Sequence, residues 1–165
     1  MEKVKALEDK LKKRFPKKQF PDLGIRFGLG ANTDEWLKIP PDEKGEPDFA
    51  IFHKYREICY IEVSGSDKIK MEPSKDIWIR PDKYEHAESR KEETWFYMVY
   101  PNQVLVLNKK VIEPHKDERT IAYIKKNKLG RKIPERYIPV SCEEAFAEEA
   151  MFEWIEKEIK RQSTD

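Results

Sequence analysis

Two acids and a lysine give this chain its most reactive stretch. Asp48 follows Pro47 at the head of PDFAIF, Glu62 stands inside CYIEVSGS, and Lys83 lies in the helix-forming stretch RPDKYEHAESRKEE. The run Ile58–Val63 is nearly all apolar and reads as a central strand buried on both faces. A carboxylate there must be paired, hydrogen-bonded, metal-bound or at the strand's solvent end. Two carboxylates suit a hard divalent cation such as Mg²⁺ or Mn²⁺, which takes oxygen ligands and keeps room for water and a substrate phosphate. Such an ion acidifies water and neutralises charge developing on phosphate. A nearby lysine orients the attacking water or stabilises the transition state. The same residues also have plainer uses: Asp48 as a strand-entry residue, Glu62 as a buried acid paired with Arg80 or Lys83, and Lys83 as a solvated helix residue.

The surrounding elements must bring these groups together. Val4, Leu7, Leu11 and Phe15 fall at helical spacing, so residues 3–15 are expected to form an amphipathic helix stopped by Pro16. Its basic end (Lys10, Lys12, Lys13, Arg14, Lys17, Lys18) reads as a solvated helix terminus placed to suit the dipole. Alternation over Ile25, Phe27 and Leu29 predicts a short strand, GLGAN a turn, and residues 30–47 a surface loop pinned by Trp36 and Leu37. Asp48–Phe52 is the next expected strand, and HKYRE the turn into Ile58–Val63. Residues 67–80 are mixed, with IWI extended. Pro81 and Asp82 open a helix running to about Glu93. Thr94–Tyr100 and Val104–Leu107 make a hairpin turned by PN.

Residues 109–140 show no clear period. Lys125, Lys126, Lys128, Arg131 and Lys132 lie there beside Ile121, Tyr123 and Ile124, and suit contacts to a nucleic-acid backbone, with Tyr123 or Tyr137 available to stack on an unpaired base. A salt-bridged surface balancing the acidic last helix fits them equally. Ser141 with Glu144 three residues on resembles a capping box and predicts a last helix over 141–162. Its apolar residues, Phe146, Ala150, Met151, Trp154, Ile155 and Ile159, are expected to pack on the core or on a second copy of the chain, the latter making a homodimer.

A chain of 165 residues with 39% charged and 38% hydrophobic residues suits one folded domain. Lys and Arg number 33 against 32 Asp and Glu, so no global basic field marks it as a nucleic-acid binder. Abundant Lys and Glu resemble a heat-adapted composition. Cys59 and Cys142 have no metal-ligand spacing and read as reduced thiols of a cytoplasmic protein, and the three histidines show no zinc spacing. No apolar run reaches membrane-spanning length, and MEKVKALEDKLKKRF lacks a signal core, so no membrane partner is expected.

PDFAIF followed by CYIEVSGS, a lysine-bearing helix and TWFYMVYPNQVLVL resembles the PD-(D/E)XK nuclease superfamily, with a restriction-endonuclease-like fold. Within it, the chain is similar to the branch whose third motif is Glu-Val-Ser and whose lysine comes from the following helix. The resemblance covers residues 47–108 and, more loosely, the first helix. It implies an α/β or α+β fold with a mixed sheet flanked by helices, and metal-dependent hydrolysis of phosphodiesters in DNA, with RNA as a further substrate class. Asp48 and Glu62 match the metal-binding acids, Lys83 the displaced lysine with Lys68 as runner-up, and Glu8 the acid some members carry on the first helix. Ser64 stands where the usual lysine would be. With no working lysine, the same fold is expected to serve only as a nucleic-acid-binding or assembly module.

Overall fold

The computed structural model describes residues 2–27, 47–126 and 128–163. A six-stranded sheet runs through it in the order β1-β2-β3-β5-β6-β9, comprising Leu23–Phe27, Phe49–His53, Arg56–Gly65, Glu93–Val99, Val104–Asn108 and Phe146–Ala147. A three-stranded sheet, β4-β8-β7, comprises Asp76–Ile79, Lys132–Ser141 and Thr120–Lys126. Helices α1 (Glu2–Arg14), α2 (Pro81–Ser89), α3 (Lys109–Ile112) and α4 (Glu148–Ser163) and two 3₁₀ turns, Glu113–His115 and Cys142–Glu144, complete the described elements. In the large sheet β3 and β5 run parallel and the other pairs antiparallel, giving the mixed α+β architecture expected.

The large sheet buries both faces. On one, Leu7 and Leu11 of α1 and Met151, Phe152, Ile155 and Ile159 of α4 pack against Phe49, Ile51, Cys59, Ile61, Trp95, Tyr97 and Val106. On the other, Phe96, Met98 and Leu107 meet Ile77 and Ile79 of β4, Tyr84 and Ala87 of α2, and Ile138 and Val140 of β8. Glu62 belongs to this second face, because side chains alternate along β3 and its neighbours Ile61 and Val63 turn to the helices.

The turn between β2 and β3 comes where HKYRE predicts it, with Lys54 and Tyr55 both left-handed at φ 51° and 66°. That pair of positive φ angles matches the right-handed twist of the flanking strands. Beyond this turn the pairing shifts. Phe49 faces Ile61 and Ile51 faces Cys59, but Phe52 faces Glu57, so β3 carries one extra residue in a bulge. At the other end of β3, Gly65 adopts φ +123°, and a Cβ there would lie 2.0 Å from the Val99 carbonyl oxygen. Only glycine lets the end of β3 lie this close to β5.

Several boundaries differ from the expectation. The first strand is described as Leu23–Phe27, while GLGAN, Trp36, Leu37 and most of the expected loop fall outside the described residues. Helix α2 ends at Ser89, short of the expected Glu93, and Arg90 is already extended. The stretch without a clear period becomes α3, a 3₁₀ turn and the β7–β8 hairpin. Ser141 does not start the last helix. Its side chain accepts from Glu143 N, but residues 142–144 form a 3₁₀ turn that ends in extended Ala145. Phe146 is therefore in β9 and not on a helical face, and α4 begins at Glu148 with Glu148 and Glu149 in its first turn, where the dipole favours acids.

The buried face of α4 is covered within this chain, so a homodimer expectation no longer rests on it. The basic end of α1 is partly tied down rather than free: Lys10 Nζ lies 2.9 Å from Glu148, and Arg14 bridges Glu149 and Glu156. Cys59 is buried and Cys142 half-buried, and both are free thiols. No helix among the described residues is long and apolar enough to cross a membrane.

Candidate active site

Asp48 is set beside Glu62 by the β2–β3 register. Phe49 pairs with Ile61, and continuing that register by one residue brings Asp48 opposite Glu62, where directly opposed side chains share a face. Asp48 Oδ2 accepts a 2.8 Å hydrogen bond from Val63 N, which fixes its carboxylate at the mouth of the strand pair. Lys83 comes from the first turn of α2, which Pro81 starts at a position where a missing N–H costs nothing. Its Nζ lies 3.8 Å from Glu62 Oε2. Asp48, Glu62, Ser64 and Lys83 line one cavity of about 200 Å³ with Arg80, Trp78, Ile79, Phe96 and Met98. At about 30 Å³ per water, that is room for roughly six waters or a hydrated ion with a phosphate.

Electrostatics in this cavity are unbalanced. Glu62 is 4% exposed, and its Oε1 has no hydrogen-bond partner in the described structure. Burial pushes its carboxyl up to about 8; Lys83 lowers it, while the neighbouring Asp48 raises it further. Asp48 is also raised, chiefly by burial, with the Val63 N–H and Lys83 acting against the shift. Two adjacent, desolvated carboxyls with the Lys83 ammonium beside Glu62 hold charge poorly at neutral pH. A buried acceptor left unpaired costs about 1–3 kcal/mol, so such a group calls for a partner. A divalent cation matches it: hard oxygen donors, two of them carboxylates, and space for water. The residues present fit the metal that the sequence resemblance implies.

The other expected site residues lie elsewhere. Lys68 is exposed, its backbone N–H bonded to Ser66 Oγ, and it does not line the cavity. Glu8 is engaged on its own helix by Lys5 and Lys12. Lys125 and Lys126 end β7, Lys128 and Arg131 occupy the turn, and Lys132 opens β8, so all five positions gather at the hairpin tip; Lys128, Arg131 and Lys132 do not line the cavity, and the side chains of Lys125 and Lys126 lie outside the described residues. Tyr137 is stacked within the chain on Trp78, ring centroids 5.4 Å apart at 19°. The side chain of Tyr123 lies outside the described residues. The histidines stay apart from the acids: His86 is exposed, His53 is buried on β2, and His115 bridges Glu118 and Glu144.

Trp78 is the cavity residue that sequence reasoning passed over. Its signal was present in IWI, where buried Ile77 and Ile79 flank it and alternation turns it the other way. No protein-family model matches this chain, and no curated protein matches it at a significant level.

Proposed function

We propose that the protein is a divalent-metal-dependent nuclease that hydrolyses phosphodiester bonds in DNA. The observation that carries this reading is the buried, unpartnered Oε1 of Glu62 in a cavity shared with Asp48 and Lys83. Asp48 and Glu62 would hold Mg²⁺ or Mn²⁺. When bound, the ion acidifies a water and neutralises charge on the phosphate. Asp48 is oriented for this by the Val63 N–H, and Glu62 by its place in the middle of β3. Lys83 offers three donors beside Glu62; its ammonium can hold the attacking water or counter the charge that builds on the phosphoryl oxygens. Ser64, exposed at the rim, leaves the family's usual lysine position open, and Lys83 reaches the same cavity from α2.

Cleavage of labelled linear, branched and single-stranded DNA in Mg²⁺, Mn²⁺ or chelator, beside Glu62→Ala and Lys83→Met, tests the reading. Wild-type cutting that needs metal, vanishes in Glu62→Ala and falls about 10²–10³-fold in Lys83→Met is expected. A wild type that cuts none of these substrates under any condition overturns it.

One observation favours a second reading. Lys83 lies 3.8 Å from Glu62 and partly neutralises it, as a structural ion pair would. On that reading the fold is a silent nucleic-acid-binding module, and salt-dependent DNA binding would persist without cleavage.

A further inference from the structure

Beside the acid cavity lies a second and larger cleft of about 500 Å³ with a different character. Met71, Met98 and Tyr100 form its buried floor, exposed Ile69 and Trp78 its rim, and Gly65 leaves one wall without a side chain. Its lining carries one cation, Lys75, and one anion, Asp76, so its charge cancels. Trp78 and Met98 line both cavities and form the wall between them.

Trp78 is held ready there. It sits on β4, an edge strand of the three-stranded sheet, and stacks on Tyr137, which is diagonal to it across the β4–β8 pairing, where Trp78 faces Pro139. Tyr137 is in turn anchored through its hydroxyl, which donates to Glu135. An indole braced in this way loses little freedom when a ligand binds, and aromatic rings with thioether sulfur make favourable walls for a flat ring.

A polar chamber with two carboxyls and two cations adjoins a neutral aromatic chamber across one shared wall. Of the parts of a nucleic acid, the phosphate matches the first and the base matches the second. A base within a duplex is stacked on both sides and cannot enter. We propose that the cleft seats an unpaired nucleobase next to the phosphate held in the acid cavity, with Trp78 as its stacking platform, so that the substrate is single-stranded DNA, a flap or a frayed end. This rests on the nuclease reading above and narrows it.

The test measures binding, by fluorescence anisotropy in chelator, of a labelled fifteen-nucleotide oligo-dT and of a blunt duplex of the same length. Wild type is expected to favour the single strand. Trp78→Ala weakens oligo-dT about tenfold and the duplex less than twofold, and Trp78→Phe restores most of the loss. Ile69→Asp, an exposed rim change that does not touch the core, weakens oligo-dT in the same selective way and covers the case in which Trp78→Ala fails to fold. Equal weakening of both ligands by the two variants, or of neither, overturns the base seat; metal-dependent cleavage by the wild type would then leave the nuclease reading standing. Absence of both binding and cleavage overturns the two together.

Discussion

The two faces of the large sheet are built to different rules. Under α1 and α4 the contacts are almost wholly apolar: the charged groups sit at the rim, where Arg14 and Lys10 of α1 meet the acids of α4, and the buried Trp95 Nε1, without a partner in the described structure, is uncharged. Across the sheet, the three-stranded sheet and α2 also bury apolar side chains, yet they stop short of Glu62 and leave a cavity around it. The first face carries stability. The second gives some up, since a desolvated acid with an unmet acceptor opposes folding. Polar groups that oppose folding and persist in a cavity are where function is to be sought.

Adjacent residues on β3 make the sharpest comparison. Ile61→Ala, on the helical face, is expected to cost about 2–5 kcal/mol of unfolding free energy in denaturant titration, because its fully buried side chain leaves a void. Glu62→Gln, one residue on and facing the other way, should cost nothing at pH 8 or raise stability, while abolishing metal-dependent cleavage. A large loss of stability in Glu62→Gln would mean that the acid is a structural partner of Lys83 and not a functional group.

The pH dependence should follow the same divide. The ordinary value of the Glu62 carboxyl, 4.5, holds in the unfolded chain, and burial in the folded one pushes it up to about 8. Between those values the folded state keeps a proton that the unfolded state releases, so stability in chelator falls as pH rises across that window. The change is expected to be a few kcal/mol and to shrink in Glu62→Gln to the part that the raised Asp48 carboxyl contributes. A flat profile in the wild type would show that the acid stays ionised and paired.

The smallest expected effect lies far from the cavity. His115, hydrogen-bonded to Glu144 and Glu118, ties the turn after α3 to the turn before β9, and these bonds raise its pKa. Its contribution is present below the unfolded value of 6.5 and is lost as pH rises through the raised folded value. His115→Gln should cost about 0.5 kcal/mol at pH 6 and nothing at pH 9, read from thermal melts.

Where an element is buried on both faces, its unbroken apolar run shows it. The β5–β6 hairpin, with TWFYMV and VLVL, and the β3 run could be read directly. The acid pair could be read as well, because a charge inside an apolar strand is conspicuous. Residues 120–136 could not, since β8 carries exposed positions along much of its length and charged residues interrupt any alternation through both strands. Ser141 shows another limit: a capping signal specifies a hydrogen bond, Ser141 Oγ from Glu143 N, but not whether the chain beyond it coils into a helix or extends. Trp78 has a local signal in IWI, but its role depends on Tyr137 and Met98, which are distant in sequence.

The extra residue in β3 has a geometric consequence for the acids. Near the turn, His53 faces Arg56; beyond the bulge, Phe49 faces Ile61. Had the pairing run on unbroken from the turn, Asp48 would oppose Ile61 and point its carboxylate among the side chains of the helical face. The single inserted position rotates it to the side of Glu62. The hairpin therefore works as a length gauge: removing one residue between Arg56 and Cys59 would turn Asp48 away from the cavity while altering none of the residues that line it.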